Sequence, residues 1–176
     1  MTLEDKNQKD ILNTELVNSL NIDYTFGNKP INRFKIKPKE EDKSQKLNDL
    51  KEDIRNIDSC VLKKNSSNLV FNDGDDKSKI MIIGEGPGQK EDEIGKPFVG
   101  DAGILLNKML KAINIDRNQV YITNVVNYRP PNNRKPEPSE IARYSKFLRD
   151  HVSIIDPKIL ILMGSTAMES LFGSNI

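Results

Sequence analysis

The sequence predicts an α/β fold, a three-layer α/β/α arrangement around a mostly parallel central sheet. Short apolar runs at Ile80–Ile83, Val120–Val126 and Ile159–Leu162 have the length and β-branched content of buried strands. Helix-patterned segments separate them, the alternation expected of a parallel sheet with helices on both faces. The first two runs each end in a loop rich in backbone-special residues, Gly84–Gly88 and Val126–Arg134. Both loops therefore fall at the carboxyl edge of the sheet, where open α/β sheets take their ligands.

The elements follow in order. Leu47, Leu50, Ile54 and Ile57 recur at helical spacing and predict a helix over about 45–57. An extended segment is expected near 68–72 and the first strand over 79–84. After the glycine loop comes an amphipathic helix over 101–113, opening at Asp101, then a strand over 119–126. Pro138 suits a first helical position, and Glu140 suits the positive end of the helix dipole, so a helix is expected over 138–153. A strand over 158–163 and a helix over 165–172 complete the series. At 176 residues the chain is sized for one domain. Residues 1–45 are rich in Asn, Asp, Lys and Glu and read as a largely disordered or loosely docked extension. Residues 46–176 form the folded domain.

Formal net charge is +1, which excludes a polycation but not a local basic surface. Between Val126 and Arg149 lie six basic residues (Arg129, Arg134, Lys135, Arg143, Lys146, Arg149) against Glu137 and Glu140. A solvated helix face with a basic loop before it explains the charge equally well on its own. No segment approaches the ~18 apolar residues of a membrane span, and the first ten residues carry no apolar leader. A single cysteine excludes an internal disulfide. The expected location is the cytoplasm, with association to the nucleoid.

The segment from Lys79 to Leu106 is the most specific part of the chain. Gly84-Glu85-Gly86-Pro87-Gly88 lets the backbone come close to a ligand. It is not a dinucleotide fingerprint, because Gln89 replaces the last glycine and the long helix starts late. It is not a P-loop either, since no Gly-Lys-Ser/Thr is present. Glu91, Asp92 and Glu93 follow, the latter two read as a solvated loop, and then Pro97-Phe98-Val99-Gly100.

The string GEGPG-QK-ED-EI-G-K-PFVG-D-AG-I-LL resembles the first motif of the family 4 uracil-DNA glycosylases. Val120 to Arg134, with YITN followed by RPPNNR, resembles that family's second motif, and Pro138 to Gly164 agrees in pattern. The resemblance runs from about Cys60 to the last residue and implies a uracil-DNA glycosylase-like domain. It implies base-excision repair chemistry: hydrolysis of the N-glycosidic bond of deoxyuridine in uracil-containing DNA, after the base is flipped into a pocket.

On that resemblance Phe98 is the stacking ring and Asn124 the amide that reads the uracil edge. Gly86 and its neighbours offer backbone N–H groups to the leaving base, in the manner of an oxyanion hole. Glu85 or Glu91 would orient the attacking water. Arg129, Pro130, Pro131, Asn133 and Arg134 form the loop expected to contact DNA. Many relatives hold a [4Fe–4S] cluster on four cysteines. Here the matching positions are Ile57, Cys60, Tyr128 and Tyr144, so no cofactor and no metal are expected.

The family's later histidine motif does not occur in the sequence, and the only histidine, His151, is expected at a helix end or the surface. The last strand and helix are expected to be missing, leaving an apolar sheet edge and calling for a second chain to complete the domain. Glycosylase activity impaired in this chain is the leading expectation. The alternatives are a non-catalytic remnant that binds uracil or DNA, and a nucleotide-binding module whose glycine loop holds a phosphate.

Overall fold

The computed structural model describes residues 43–173; the extension expected over residues 1–45 lies outside them except for its last three positions. In those positions a helix has already begun: α1 (Lys43–Arg55) turns Leu47, Leu50 and Ile54 into the core. Then come α2 (Val61–Asn65), β1 (Asp73–Gly74), β2 (Ile80–Gly84), α3 (Gln89–Ile94) and α4 (Asp101–Ala112). A 3-10 turn at Arg117–Gln119 leads into β3 (Tyr121–Asn124), and a second at Pro131–Asn133 precedes α5 (Pro138–Ile155). β4 (Ile159–Leu162) and α6 (Ser165–Phe172) complete the described residues.

The sheet order is β1-β3-β2-β4, with β2 parallel to both β3 and β4 and only β1 antiparallel to its neighbour. Period-two alternation divides the core between the two faces. Met81 and Ile83 of β2 and Tyr121 of β3 meet α1 and α5 through Leu50, Ile54, Tyr144 and Leu148. Ile82 and Ile122 point the other way, onto Leu106 and Leu110 of α4. Burying each such side chain is worth about 1.5–3 kcal/mol. The larger α1/α5 cluster therefore supplies most of the hydrophobic stabilisation, and the smaller α4 face is left to shape the site.

The start of α5 follows the expected logic. Pro138 stands in the first turn, and the Glu140 carboxylate accepts the backbone N–H of Glu137. Among the described residues β4 is an edge of the sheet, and there Ile159 is 53% exposed and Ile161 36%. Among the described residues no helix is long and apolar enough to cross a membrane.

Two expectations are corrected. The acidic stretch is not a solvated loop: it forms α3, and Asp92 is buried within it. Its carboxylate accepts the backbone N–H groups of Ser67 and Asn68 at 3.0 Å, and the Asn68 amide donates to the Asp92 carbonyl at 2.7 Å. A buried carboxylate persists because hydrogen bonds replace its water.

Nor is His151 a surface residue: it is 2% exposed. Phe71 stacks on its ring at 4.6 Å, and its Nε2 lies 2.5 Å from the Tyr121 hydroxyl. Burial pushes the imidazole down to about 3 and the Tyr121 phenol upward, so both groups are neutral and share one hydrogen bond. Tyr144, Leu148, His151 and Ile155 are the buried residues of α5 and follow one helical stripe. That spacing was the available signal, masked by the polarity of the imidazole.

Candidate active site

β2 and β3 end side by side. Gly84 pairs with Asn124 at the last position of the ladder, and the pairing continues into the loops as Val125 N–H donates to the Gly84 carbonyl at 2.8 Å and Val126 N–H to that of Glu85 at 3.2 Å. The two loops expected at the carboxyl edge are thus fixed against each other. A Cβ placed on Gly84 would stand 2.5 Å from both Asn124 Oδ1 and Phe98 Cζ. The Phe98 ring and the Asn124 amide therefore converge on the bare glycine backbone, and only glycine leaves room for them. Asn124 is 3% exposed.

Phe98 reaches this place from a left-handed backbone conformation, φ 51°. Such a conformation is costly for an aromatic residue and persists only when its surroundings over-determine it. Glu91 is one such constraint. Its Oε1 accepts the N–H groups of Val99 at 2.9 Å and Gly100 at 2.7 Å, and its Oε2 that of Gly88 at 3.1 Å. The carboxylate thus ties the glycine loop to the segment carrying Phe98.

Glu85 is differently engaged. Its Oε2 accepts a hydrogen bond from Thr166 Oγ1 at 2.6 Å, from the first turn of α6. Gly86 faces the second loop: a Cβ there would meet Val126 at 2.8 Å, with Pro130 and Pro136 at 3.8 and 4.0 Å. The glycine loop and the basic loop therefore share one edge of the molecule.

Within the basic loop Pro130 leads into the Pro131–Asn133 turn, where Asn132 and Asn133 both adopt φ 55°. Arg129 Nε donates to Asn133 Oδ1 at 2.7 Å. Arg134 makes a two-pronged contact with Glu140, at 2.8 and 2.7 Å. Hydrogen bonding to Arg134 outweighs burial and holds the Glu140 carboxyl below its ordinary range. The guanidinium of Arg134 thus braces the loop against α5, while that of Arg129 is held by a neutral amide.

The structure therefore brings together Gly84, Glu85, Gly86, Glu91, Phe98 and Asn124, with the loop of Arg129 to Arg134 beside them. His151 is not among them: it belongs with Tyr121 on the α1/α5 side, whereas Phe98 packs with the α4 cluster. One residue that sequence reasoning missed is Arg117, whose guanidinium holds the Phe98 carbonyl at 2.9 Å. A lone arginine before a strand gives no sequence signal for a partner 19 residues upstream.

The positions matching the cluster ligands of the family also meet. Cys60 Sγ lies 3.3 Å from the Tyr144 hydroxyl, and Tyr128 and Ile57 pack in the same core. An iron–sulfur cluster of this kind needs thiolate ligands. One thiol, one alkyl chain and two phenols, both raised above the ordinary range chiefly by burial, do not supply them. These residues do not fit a [4Fe–4S] cluster.

The chain also has similar known proteins. Residues 71–175 match the family model described as the uracil DNA glycosylase superfamily. The chain is 44% identical over 117 residues to a type-4 uracil-DNA glycosylase of Thermotoga maritima, covering 66% of this chain and 61% of the relative. It is 44% identical over 127 residues to one of Sulfurisphaera tokodaii, covering 72% and 58%, and 40% identical over 128 residues to one of Archaeoglobus fulgidus, covering 73% and 64%. The chain spans about three fifths of the length of these curated relatives.

Proposed function

The chain belongs to the uracil-DNA glycosylase superfamily, and on that premise we propose that it acts on uracil-containing DNA, hydrolysing the N-glycosidic bond of deoxyuridine. The observation that carries the reading is the convergence of the Phe98 ring and the Asn124 amide on Gly84. A flipped uracil needs a flat apolar surface against one face and a paired donor and acceptor along its edge. Phe98 offers the first and Asn124 the second.

As the glycosidic bond breaks, its electron pair stays on the base, and a water oxygen adds to the sugar carbon with loss of a proton. In this reading backbone N–H groups of Glu85 and Gly86 stabilise the uracil anion, an effect worth roughly 3–4 kcal/mol per well-aimed donor. Glu85 is our candidate for orienting the water, because the Glu91 oxygens already accept three backbone N–H groups. Glu91 instead holds the loop. Arg129 and Asn133, on the Pro130–Pro131 turn, would meet the phosphate backbone, with Arg134 keeping that turn in place through Glu140.

The residues around Cys60 do not fit the family's cluster, and no step here is routed through one. The setting we propose for the reaction is the cytoplasm, on nucleoid DNA.

A second reading, binding of uracil-containing DNA without turnover, is favoured by one observation. The single histidine is locked against Tyr121 and cannot supply an imidazole to the base. The two readings separate on matched oligonucleotides carrying uracil or thymine. Release of free uracil establishes hydrolysis, whereas a binding preference for uracil with no release establishes the second. Equal binding to both with no release contradicts each of them.

A further inference from the structure

The Phe98 turn is held from two sides by opposite charges. Glu91 collects the amide hydrogens that follow Phe98, and Arg117 collects the carbonyl oxygens at and before it. Arg117 Nη1 donates to the Phe98 carbonyl at 2.9 Å and to Asn107 Oδ1 at 3.1 Å, and Nη2 donates to the Pro97 carbonyl at 2.6 Å. Its Nε donates to Asp73 Oδ2 at 2.7 Å. Four of the five N–H donors of a guanidinium are thereby committed in one plane. Asp73 belongs to β1 and also pairs with Lys96 at 3.2 Å, so the clamp is anchored to the edge of the sheet. On the far side, α4 leaves no slack: a Cβ on Gly103 would run into the Phe98 carbonyl.

We propose that Arg117 is a positioning residue for the proposed reaction, which with Asp73 sets the Phe98 ring against Gly84 and so fixes the stacking surface for the flipped base. Arg117 bonds the backbone of Phe98 and not its ring, so it acts through that residue and belongs to no catalytic step. The left-handed φ of Phe98 supplies the physical need. Without both carbonyls fixed, the backbone relaxes toward ordinary conformations and carries the ring away from Gly84 and Asn124. A displacement of about 1 Å at a reacting group costs on the order of 100-fold in rate. Lysine, a single ammonium without the planar fork, cannot hold two carbonyls and a carboxylate together.

The inference rests on the functional reading above, and the test separates the two. Phe98 Cζ and Cε2 stand 2.5 and 2.6 Å from where a Gly84 Cβ would be, so the ring current should shift the Gly84 α-proton resonances. In Arg117→Ala and Arg117→Lys those resonances should move toward unshifted values while a cooperative melting transition is retained. Single-turnover uracil excision should fall on the order of 10–100-fold. In a Phe98→Ala background, Arg117→Ala should cost nothing further, whereas a merely structural arginine would cost as much there as in the native chain. If Arg117→Ala does not fold, Arg117→Lys and Asp73→Asn are read in the same way. Gly84 resonances that keep their native positions in folded variants overturn the clamp, as does full additivity with Phe98→Ala. If the unaltered chain releases no uracil, the functional reading fails, and the Gly84 resonances still decide the clamp.

Discussion

Gly84 and Asn124 occupy the last paired position of two parallel strands, and the side chain of one takes the space that the other leaves empty. The site depends on this asymmetry. Gly84→Ala should push Phe98 and Asn124 apart and cost about 1–3 kcal/mol through overpacking. Thermal melting should show that modest loss. Affinity for a uracil-containing oligonucleotide should fall much further than stability alone explains. Unchanged affinity would mean that the ring and the amide do not form the pocket.

Glu91 and Glu85 separate by substitution. Glu91→Ala strips the acceptor from three backbone N–H groups and should destabilise the protein by roughly 2–3 kcal/mol. Glu91→Gln keeps a carbonyl oxygen for Val99 and Gly100 and should preserve most of the fold and any uracil release. Glu85→Gln should lower uracil release with little effect on melting. A large rate loss in Glu91→Gln at full stability would transfer the water-orienting role to Glu91.

The contrast between these two acids shows how far the sequence was readable. The alternation of strands and helices placed β2, β3, β4, α4, α5 and α6 within a few residues of their observed ends. The two motifs placed Phe98 and Asn124 together. What remained hidden depended on long-range partners. Asp92 is buried because Ser67 and Asn68 need an acceptor, and Arg117 matters because Phe98 has a left-handed backbone. Neither condition leaves a periodic trace. α2 and α3 were missed because five and six residues are too few for a helical stripe.

The buried His151 predicts a pH dependence of stability. Its folded value is pushed down to about 3 by burial, against 6.5 for the unfolded chain. Below 6.5 the unfolded state therefore takes up a proton that the folded state refuses. This contribution is complete above 6.5, declines as the pH falls, and levels off below about 3. Denaturant titrations from pH 7 to pH 4 should show the decline, and His151→Gln should flatten it at some cost in stability at pH 7. An identical slope in the variant would contradict the assignment.

Cys60 Sγ and the Tyr144 hydroxyl meet at 3.3 Å in the core. Tyr144→Phe should lose about 0.5–1.5 kcal/mol by removing one hydrogen-bonding partner. Protein prepared without oxygen should contain no stoichiometric iron, show no visible cluster absorbance, and melt at the same temperature with or without a chelator. Stoichiometric iron would contradict the conclusion that these residues do not fit a cluster.

The central claim is that Phe98 and Asn124 form a uracil site able to support hydrolysis. It is tested most directly by a single-turnover excision assay, with protein in excess over a uracil-containing oligonucleotide and abasic sites revealed by alkali. The account predicts abasic product from the unaltered chain and a loss on the order of 100-fold or more in Asn124→Ala. Product formed equally well by Asn124→Ala would contradict it, as would no product together with no preference for uracil over thymine in binding.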